Sequence, residues 1–379
     1  MDASLNEKLR SVEWGEFRIG DLFEIKPTKS YKVTNADLFD ENGKIPVVTN
    51  SSANNGVTGY TNRPYTEDGN IITYSDTTTS EGIFYQPDKF VGYSHIQGLY
   101  PKVDFESWTR NTLLFFTSAF RNVSKGKFSY GNKFNRKIAS DMMVKLPTNN
   151  SGIDFDFMES FIAELEAERI AELSAYLKVS GLDNYELSIE ERNALRAYDS
   201  MEWGEYRLED LFGKSTRGKR LKSLDRISGK LPFVTAGEAN TGISAYIGND
   251  VKIFQANTTT IDMFGSAKYR NYNYGADDHI AVVHTENLSK FASLFITATI
   301  ERASHTGKFS YDRNFYAKDA DELVIALPKD GIGNIDYTFM ENYASALQKL
   351  VIKDVVQYTD KRIEATKTVV AEHQKEESE

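Results

Sequence analysis

The sequence predicts an α+β protein in which two mixed α/β globules alternate with two long helices. Three observations support this prediction. Blocks of sequence recur in one order along the chain, short apolar runs separated by Gly, Asn, Thr and Asp fill the first part of each repeat, and helical periodicity fills the second part. With 379 residues, of which 40% are hydrophobic, the chain is long enough for two domains and their connectors.

The repeated blocks indicate a tandem duplication. Residues 12–23, "VEWGEFRIGDLF", return as residues 201–212, "MEWGEYRLEDLF", and residues 46–60 return as residues 232–246. Four further pairs follow in the same order, namely "TTT" at 77–79 and 258–260, "KFSY" at 127–130 and 308–311, "VKLP" at 144–147 with "IALP" at 325–328, and 152–165 with 334–347. Because six blocks keep their order at a nearly constant offset, coincidence is excluded.

The first part of each repeat reads as a globule of short strands and one helix. Runs of four to six apolar residues bounded by turn residues predict strands. Longer apolar runs that lead into a basic or polar segment favour a helix. The predicted strands are "KIPVVT" (44–49), "NIITYS" (70–75), "KIFQAN" (252–257) and "HIAVVH" (279–284), and the predicted helices contain "TLLFFTSAF" (112–120) and "FASLFITATI" (291–300).

The second part of each repeat reads as one long amphipathic helix. Apolar residues recur at helical spacing over 157–177 and from 340 to about 370, and neither segment contains Pro or Gly. A lone amphipathic helix must bury its apolar face, so we expect the two helices to pair as an antiparallel coiled coil around a pseudo-twofold axis. The residues predicted to pair the helices are Met158, Phe161, Ile162, Leu165, Leu173, Met340, Tyr343, Leu347, Leu350 and Tyr358.

These patterns predict six segments. They are a short N-terminal helix (1–12), globule 1 (13–152), a central helical spacer (153–200), globule 2 (201–333), a C-terminal helical spacer (334–373) and a disordered tail (374–379). Two similar recognition units held at a fixed spacing suit the two half-sites of a duplex DNA target.

Composition restricts the function classes. The chain has no cysteine, which excludes disulfides, thiolate metal sites and a cysteine nucleophile. No long apolar run predicts a membrane span and the first residues do not resemble a signal peptide, so we expect a cytoplasmic protein. The net charge is −10, but residues 154–202 hold 13 acidic against 4 basic residues. The acidity is therefore local and does not exclude a nucleic-acid partner elsewhere.

The ordered blocks resemble the specificity subunit of type I restriction-modification systems and the similar subunit of type IIB systems. The resemblance covers essentially the whole chain. It rests on the Trp-Gly-Glu-Phe/Tyr-Arg entry with Asp-Leu-Phe, the Leu-Pro exit and the Phe-Met-Glu start of each helix. Many type I subunits continue the exit as Pro-x-x-Glu-Gln, whereas residues 148–153 and 329–335 do not, and the system subtype stays open.

The resemblance implies a non-enzymatic subunit without a cofactor or metal. Each globule would be a target-recognition domain that reads one half of a bipartite sequence in double-stranded DNA. The helices would act as a ruler between the halves and as docking surfaces for methyltransferase subunits, with a restriction subunit as a further partner. Segments that differ between the repeats, such as "NSS" (50–52) and "AGE" (236–238), then predict two different half-sites and an asymmetric target.

The "KFSY" segments and the Asn- and Thr-rich loops are the predicted DNA contacts. Lys and Arg neutralise phosphates, hydroxyls donate to phosphate oxygens, and Asn can pair with adenine. In globule 1 the candidates are Asn54, Thr77, Thr78, Thr79, Lys125, Lys127, Ser129, Tyr130, Asn132, Lys133, Asn135 and Arg136. In globule 2 they are Asn240, Asn257, Thr258, Thr259, Thr260, Lys308, Ser310, Tyr311, Arg313 and Asn314.

Other interpretations stay open at this point. The Asn-Gly and Thr-rich loops are also ordinary turn chemistry. We expect Phe128, Phe134, Phe309 and Phe315 to pack in the core, and Trp14 and Trp203 to anchor it. An alternative function is a tandem ligand-binding and coiled-coil interaction protein, and a weaker one is a divergent nuclease whose carboxylates hold Mg²⁺.

Overall fold

The computed structural model of the chain describes residues 3–77, 80–102, 105–128 and 133–376, with side chains described as far as Ala365 and not at Ser80. The chain divides into two compact units. Unit 1 comprises Met1–Ala175 together with Lys361–Glu379, and unit 2 comprises Tyr176–Asp360. Each unit contains one globule, and each long helix has residues in both units. In the described parts of the chain, no helix is long and apolar enough to cross a membrane.

The first 175 residues, as far as they are described, form antiparallel sheets, and six α-helices begin among them. The main sheet has the strand order β2-β7-β5-β6, and β1-β8-β9 and β3-β4 form smaller sheets. The strands are β1 (Glu13–Arg18), β2 (Phe23–Pro27), β3 (Ile45–Val48), β4 (Val57–Thr61), β5 (Ile71–Ser75), β6 (Ile83–Gln86), β7 (Ile96–Pro101), β8 (Met143–Asn149) and β9 (Gly152–Ile153). The helices are α1 (Ala3–Ser11), α2 (Ile19–Leu22), α3 (Asn35–Leu38), α4 (Arg110–Ser124), α5 (Arg136–Asp141) and α6 (Phe155–Val179).

Globule 2, together with its flanking helices, repeats this plan, although several of its strands are shorter. Its main sheet has the order β11-β17-β14-β15, with β13-β12-β16 and β10-β18 beside it. The strands are β10 (Trp203–Arg207), β11 (Thr216–Arg217), β12 (Ser228–Val234), β13 (Ile243–Ile247), β14 (Thr258–Ile261), β15 (Ala267–Arg270), β16 (Gly275–Ala276), β17 (Ala281–Val283) and β18 (Val324–Pro328). The helices are α7 (Ile189–Ala197), α8 (Leu208–Phe212), α9 (Lys290–Ser304), α10 (Ala317–Asp321) and α11 (Tyr337–Glu376).

The repeated entry and exit blocks pair with each other in each globule. Trp14 of β1 lies opposite Pro147 of β8, and Trp203 of β10 lies opposite Pro328 of β18. The two antiparallel pairs therefore have the same register and close each globule where its long helix begins. The prediction of two mixed α/β globules, each followed by a long helix, is confirmed.

Helices α4 and α9 form the centre of the two cores. Both are 15 residues long, and each begins at a residue whose hydroxyl caps the helix, Thr109 or Ser289. Their buried positions coincide at a constant offset, so Phe116 and Phe120 in α4 correspond to Ile296 and Ile300 in α9. The apolar runs that predicted these helices supply this buried face.

The Lys-Phe-Ser-Tyr phenylalanines pack, as predicted. Phe128 and Phe134 stack with ring centroids 4.0 Å apart, and Phe134 is fully buried. Phe309 and Phe315 meet at 4.9 Å in globule 2, with Phe315 buried. The prediction that tryptophans anchor the core is wrong for Trp14, which is 42% exposed.

Trp14 instead lines an apolar groove that recurs in globule 2. Its ring stacks on Phe115 at 6.3 Å, and Trp203 stacks on Phe295 at the same distance. The grooves have volumes of about 810 Å³ in globule 1 and about 1040 Å³ in globule 2. Corresponding side chains line them, namely Trp14, Phe115, Phe161 and Leu165 in globule 1 and Trp203, Phe295, Tyr343 and Leu347 in globule 2.

The long helices begin by packing on their own globules. Met158, Phe161 and Ile162 of α6 lie in the core of globule 1, and Met340 is fully buried in that of globule 2 with Tyr343 packed beside it. Their assignment to helix pairing is corrected accordingly. Leu165 packs against the same core as Phe161, and Leu173 is half-buried.

Three further pairing residues of α11 lie on its exposed face. Leu347, Leu350 and Tyr358 are 42%, 45% and 53% exposed. The residues buried along this helix are Ala346, Val356 and Thr359 instead. The prediction failed because α11 carries apolar residues on two faces, and sequence periodicity does not tell which face is covered.

A short helix accompanies the start of each long helix. In unit 1, Lys8 of α1 donates to Glu164 of α6 at 2.5 Å. In unit 2, Glu191 of α7 accepts from Ser345 at 2.6 Å and from Lys349 at 2.9 Å. The two short helices are therefore counterparts, with the charges of the ion pair reversed.

The last described side chains of α11 lie against α6 within unit 1. Arg362 donates to Glu166 at 2.6 Å, and Arg110 of α4 donates to the same carboxylate at 2.5 Å. The hydrogen bond from Arg110, together with both positive charges, lowers the pKa of Glu166 despite partial burial.

One predicted strand is absent from the structure. The segment "KIFQAN" forms only an isolated bridge between Phe254 and Tyr274, and strand β14 begins at Thr258. Asn257, with a positive φ of 67°, separates the two segments. A β-strand cannot pass through this left-handed conformation.

Candidate nucleic-acid interface

The same loop, with an unusual backbone, projects from both globules. Three successive residues have positive φ, at 48°, 54° and 80° for Asn54, Asn55 and Gly56. Residues 240–242 repeat them at 47°, 52° and 82°. Asn tolerates this left-handed conformation better than most residues, and Gly adopts it freely. The repeated Asn and Gly are thus explained by backbone geometry.

The predicted contacts Asn54 and Asn240 are exposed at the loop tips. Asn54 Nδ2 donates to Val57 O at 3.1 Å, and Asn240 Nδ2 donates to Ile243 O at 3.5 Å. Each side chain therefore stabilises its own turn while the loop presents its outer surface to solvent.

A buried side chain braces each loop from below. In globule 1, Gln86 Nε2 donates to Asn55 O at 3.1 Å and to Thr73 Oγ1 at 2.9 Å. In globule 2, Arg270 occupies the same strand position and donates to Thr241 O at 2.7 Å and to Thr260 Oγ1 at 2.9 Å. Gln86 and Arg270 are only 3% and 2% exposed.

The threonine block of globule 2 is buried, and its prediction as a DNA contact is wrong. Thr258, Thr259 and Thr260 form strand β14 and are 1%, 0% and 1% exposed. Strand pairing makes residues 71–73 of β5 their counterparts, so the match to 77–79 was out of register. Thr259 bonds to Thr297 of α9 at 2.6 Å, which ties the strand to the core helix.

Asn257 is also a structural residue rather than a DNA contact. Its Nδ2 donates to Leu288 O at 2.7 Å, and its Oδ1 accepts from the Tyr269 hydroxyl at 2.9 Å. Asn70 takes the same place in globule 1, where it accepts from Tyr85 at 2.9 Å. These bonds inside the fold orient the amide at both ends and account for the residue without a base.

The basic segment of globule 1 is exposed where it is described. Lys125, Lys127, Lys133 and Arg136 all lie at the surface. Asn135 caps α5 by accepting from Ile138 N at 3.0 Å, a role that the sequence did not predict. Thr77 is half-buried beside Ser75. The predicted contacts Thr78, Thr79, Ser129, Tyr130 and Asn132 lie outside the described residues.

The corresponding segment of globule 2 is less basic. Lys308, Ser310 and Tyr311 are exposed, Tyr311 by 81%. Arg313 lies 5.2 Å over the Phe309 ring and pairs with Asp319 at 3.4 Å. Asn314 is half-buried, and its Nδ2 donates to the Tyr316 hydroxyl at 3.4 Å. Of the candidates in this segment, Lys308, Ser310, Tyr311 and Arg313 are exposed, and Asn314 is not.

The structure adds a cavity that sequence reasoning missed. Beside the loop of globule 1, a cavity of about 490 Å³ is lined by Ser52, Glu81, Phe84, Arg121, Asn122 and Lys125. Arg121, near the end of α4, donates from Nε to Ile83 O at 2.6 Å and lies 4.8 Å from the Phe84 ring centre. Burial lowers the pKa of Arg121, which Glu81 partly opposes.

Globule 2 carries different charges at the corresponding positions. Glu301 of α9 stands where α4 has Arg121; it accepts from Ala267 N and pairs with His305 at 2.6 Å. Lys268 pairs with Glu238 at 3.1 Å. The hydrogen bond from Lys268 lowers the pKa of Glu238. The sequence already showed this difference in charge, because residues 121–125 are "RNVSK" and residues 301–305 are "ERASH". Both segments were interpreted only as the ends of core helices.

One cluster of metal-ligand type occurs among the described residues. Asp277, Asp278 and His279 bring their ligand atoms within 4.8 Å of one another. His279 already pairs with Asp278 at 3.1 Å, and Arg217 donates to Asp278 O at 2.9 Å. Burial raises the pKa of Asp277. The cluster lies outside the repeated loop-and-cavity arrangement.

Comparison with known proteins places the two repeats in one family. The family model described as type I restriction modification DNA specificity domain matches residues 11–175 and 201–358. The specificity subunit of a type II restriction enzyme from Heyndrickxia coagulans is 25% identical over 350 residues, covering 90% of this chain and 96% of that protein. The crystal structure of a type I restriction-modification S subunit from M. genitalium superposes with a TM-score of 0.58 at 13% identity, covering 95% of this chain and 94% of that chain.

Proposed function

The chain belongs to the type I restriction modification DNA specificity family, and from this premise we propose that it selects an asymmetric, two-part DNA target for a methyltransferase. Each globule contacts one half of the target. The observation that carries the proposal is the loop that both globules share, beside a patch whose charges differ between them. One scaffold with two different surfaces suits two different half-sites.

Modified-base sequencing of genomic DNA tests this proposal. Cells that carry the cognate methyltransferase are compared with and without the chain. We expect methylation at one asymmetric bipartite motif only when the chain is present. An unchanged pattern with an active methyltransferase would contradict the proposal and favour a tandem interaction protein that binds another ligand.

We further propose that the chain is non-catalytic and works in the cytoplasm, where its DNA target lies. Its membership of a DNA specificity family and its lack of cysteine support this assignment. With a net charge of −10, the chain alone should bind DNA weakly, and methyltransferase subunits that close around the duplex should tighten binding. Equal affinity with and without them, or metal-dependent cleavage by the purified chain, would contradict this part.

The apolar grooves are the proposed docking sites for that methyltransferase. Both half-sites are modified by the same partner, so its docking surface should be alike in the two globules, as the Trp14 and Trp203 grooves are. Aromatic side chains are enriched in protein interfaces.

Single substitutions test the docking site. Trp14→Ala and Trp203→Ala should each weaken capture of the methyltransferase, measured by co-purification and titration. Leu224→Ala is the matched control, because Leu224 is 98% exposed and lies in neither groove. Equal capture by all three variants would contradict the assignment.

We also propose that α6 and α11 pair and set the distance between half-sites. Half-buried or buried residues of α11 recur at spacings of four and three, at Ile352, Val356, Thr359 and Ile363, which is the repeat of a coiled-coil seam. Removing one turn from α6 should change the gap within the methylated motif. A gap that stays the same would refute the ruler function.

A further inference from the structure

The cavity beside the loop of globule 1 has the properties expected of a base-reading site. It lies where three separate segments meet, since Ser52 comes from the loop, Phe84 from β6 and Arg121 from α4. Phe84 is only 9% exposed and forms a hydrophobic wall, while Arg121, Asn122 and Lys125 present donors. A hydrophobic wall with few, well-placed donors is a common design for recognising a flat polar ligand.

The duplication provides an internal comparison of this site. The scaffold around it is retained: α4 and α9 share their buried pattern, the loops share three positive φ angles, and Tyr85 and Tyr269 make the same hydrogen bond. The side chains that line the site in globule 1 differ from their counterparts in globule 2 at every compared position. Ser52, Phe84, Arg121, Asn122 and Lys125 correspond to Glu238, Lys268, Glu301, Arg302 and His305.

A constant scaffold with a variable surface is what two copies need if they read different sequences. We infer that this patch determines which bases each globule accepts, an inference that rests on the proposed function. In globule 1 the specificity-determining residue is Arg121, which donates to the acceptor edge of a guanine. In globule 2 Glu301 and Glu238 accept from the amino group of a cytosine or adenine.

Arg121 is held in a suitable position for this role. Its Nε donates to Ile83 O at 2.6 Å, and its guanidinium stacks on Phe84, so the side chain is fixed at one end. The two terminal nitrogens of the guanidinium then form a fork of donors that matches O6 and N7 of guanine. Lys125 lies one helical turn further on and adds a positive charge that favours the same acceptors.

Exchange of the patch tests the inference in the intact complex with the methyltransferase. Arg121→Gln keeps a donor without the charge and fork, and the triple variant Ser52→Glu, Arg121→Glu, Lys125→His gives globule 1 the side chains of globule 2 at three of the five compared positions. The methylated motif of each is read by modified-base sequencing. Lys133→Glu is the matched control, since it changes charge in globule 1 outside the cavity.

We expect Arg121→Gln to relax a guanine-containing position in one half-site and to leave the other half-site unchanged. Discrimination at that position should fall by roughly 5- to 150-fold, as for loss of one good base contact. The triple variant should change the preferred base there, whereas Lys133→Glu should lower methylation overall without changing the motif.

Two results would overturn the inference. One is an unchanged motif in folded Arg121→Gln and triple variants. The other is loss of methylation at both half-sites alike, which would assign Arg121 a phosphate-binding or structural role. Failure of the proposed function is distinguished from both, because the unsubstituted chain would then direct no bipartite motif at all.

Discussion

The two globules share their internal contacts and differ in their outward charges. Both have the same β1-β8 type of closing pair, the same left-handed loop and a tryptophan-lined groove. At the end of the core helix, however, globule 1 has Arg121 where globule 2 has Glu301. Even this exchange preserves the fold, because Arg121 donates to the carbonyl and Glu301 accepts from the amide of corresponding strand residues. The two copies therefore share the contacts that form the fold and differ in the charges on their outer surface.

Removing a core ring should destabilise the two globules alike, and this is the largest expected effect. Phe134→Ala and Phe315→Ala remove rings that are 0% and 2% exposed. Each should lower the free energy of unfolding of its globule by about 3–5 kcal/mol, because a cavity replaces the ring. Chemical denaturation with Tyr311→Ala as the exposed control measures this. A large loss in one globule and none in the other would break the comparison.

Truncating the buried residues beneath the two loops, Arg270 and Gln86, should lower stability by different amounts. Arg270→Ala removes three hydrogen bonds, to Thr241, Thr260 and Tyr272, from a buried site. We expect a loss of about 2–4 kcal/mol, against about 1–2 kcal/mol for Gln86→Ala, since bonds to a charged donor are stronger. Thermal unfolding measures both.

Arg270→Gln sharpens this prediction, because it places in globule 2 the brace that globule 1 uses. It should restore part of the stability lost in Arg270→Ala. If it is as unstable as Arg270→Ala, the two braces are not equivalent.

The smallest expected difference in stability concerns the ion pairs between the short helices and the long ones. Glu191 is 5% exposed and bonds to Ser345 and Lys349, whereas Glu164 and Lys8 are both exposed. Glu191→Gln should cost about 1–3 kcal/mol and Glu164→Gln less than about 1 kcal/mol. Denaturation at pH 7 measures both, and equal losses would contradict the burial difference.

The pH dependence of Glu191 has a defined sign. Burial alone would raise its pKa, but hydrogen bonds from Ser345, Ser188 N and Lys349 outweigh it, so the pKa is lowered. Its contribution to stability is therefore present above the ordinary pKa of Glu, about 4.3, and is lost as pH falls through the lower folded value. Glu191→Gln should remove this part of the acid sensitivity.

Sequence reasoning identified the elements whose pattern is local. The apolar runs at 112–120 and 291–300 predicted α4 and α9, and the repeated Trp-Gly and Leu-Pro blocks marked the strands that close each globule. The same reasoning placed the Asn-Gly loops at the surface, because left-handed backbone favours these residues at turns.

The predictions were wrong for residues whose environment depends on partners that are distant in the sequence. Thr258–Thr260 matched the letters of 77–79, but strand pairing aligns them with 71–73 and buries them. Leu347 and Tyr358 have helical spacing, yet only tertiary packing decides which face of α11 is covered. Arg121 was missed because it is recognised only by the difference between the two copies, and the apolar pattern of its helix indicates a core role.

The most direct test of the central claim is the methylome directed by a chain in which globule 2 replaces globule 1. If each globule reads one half-site, the chimera should direct methylation to a symmetric motif made of two copies of the half-site read by globule 2. An unchanged asymmetric motif from the folded, methyltransferase-bound chimera would contradict the account.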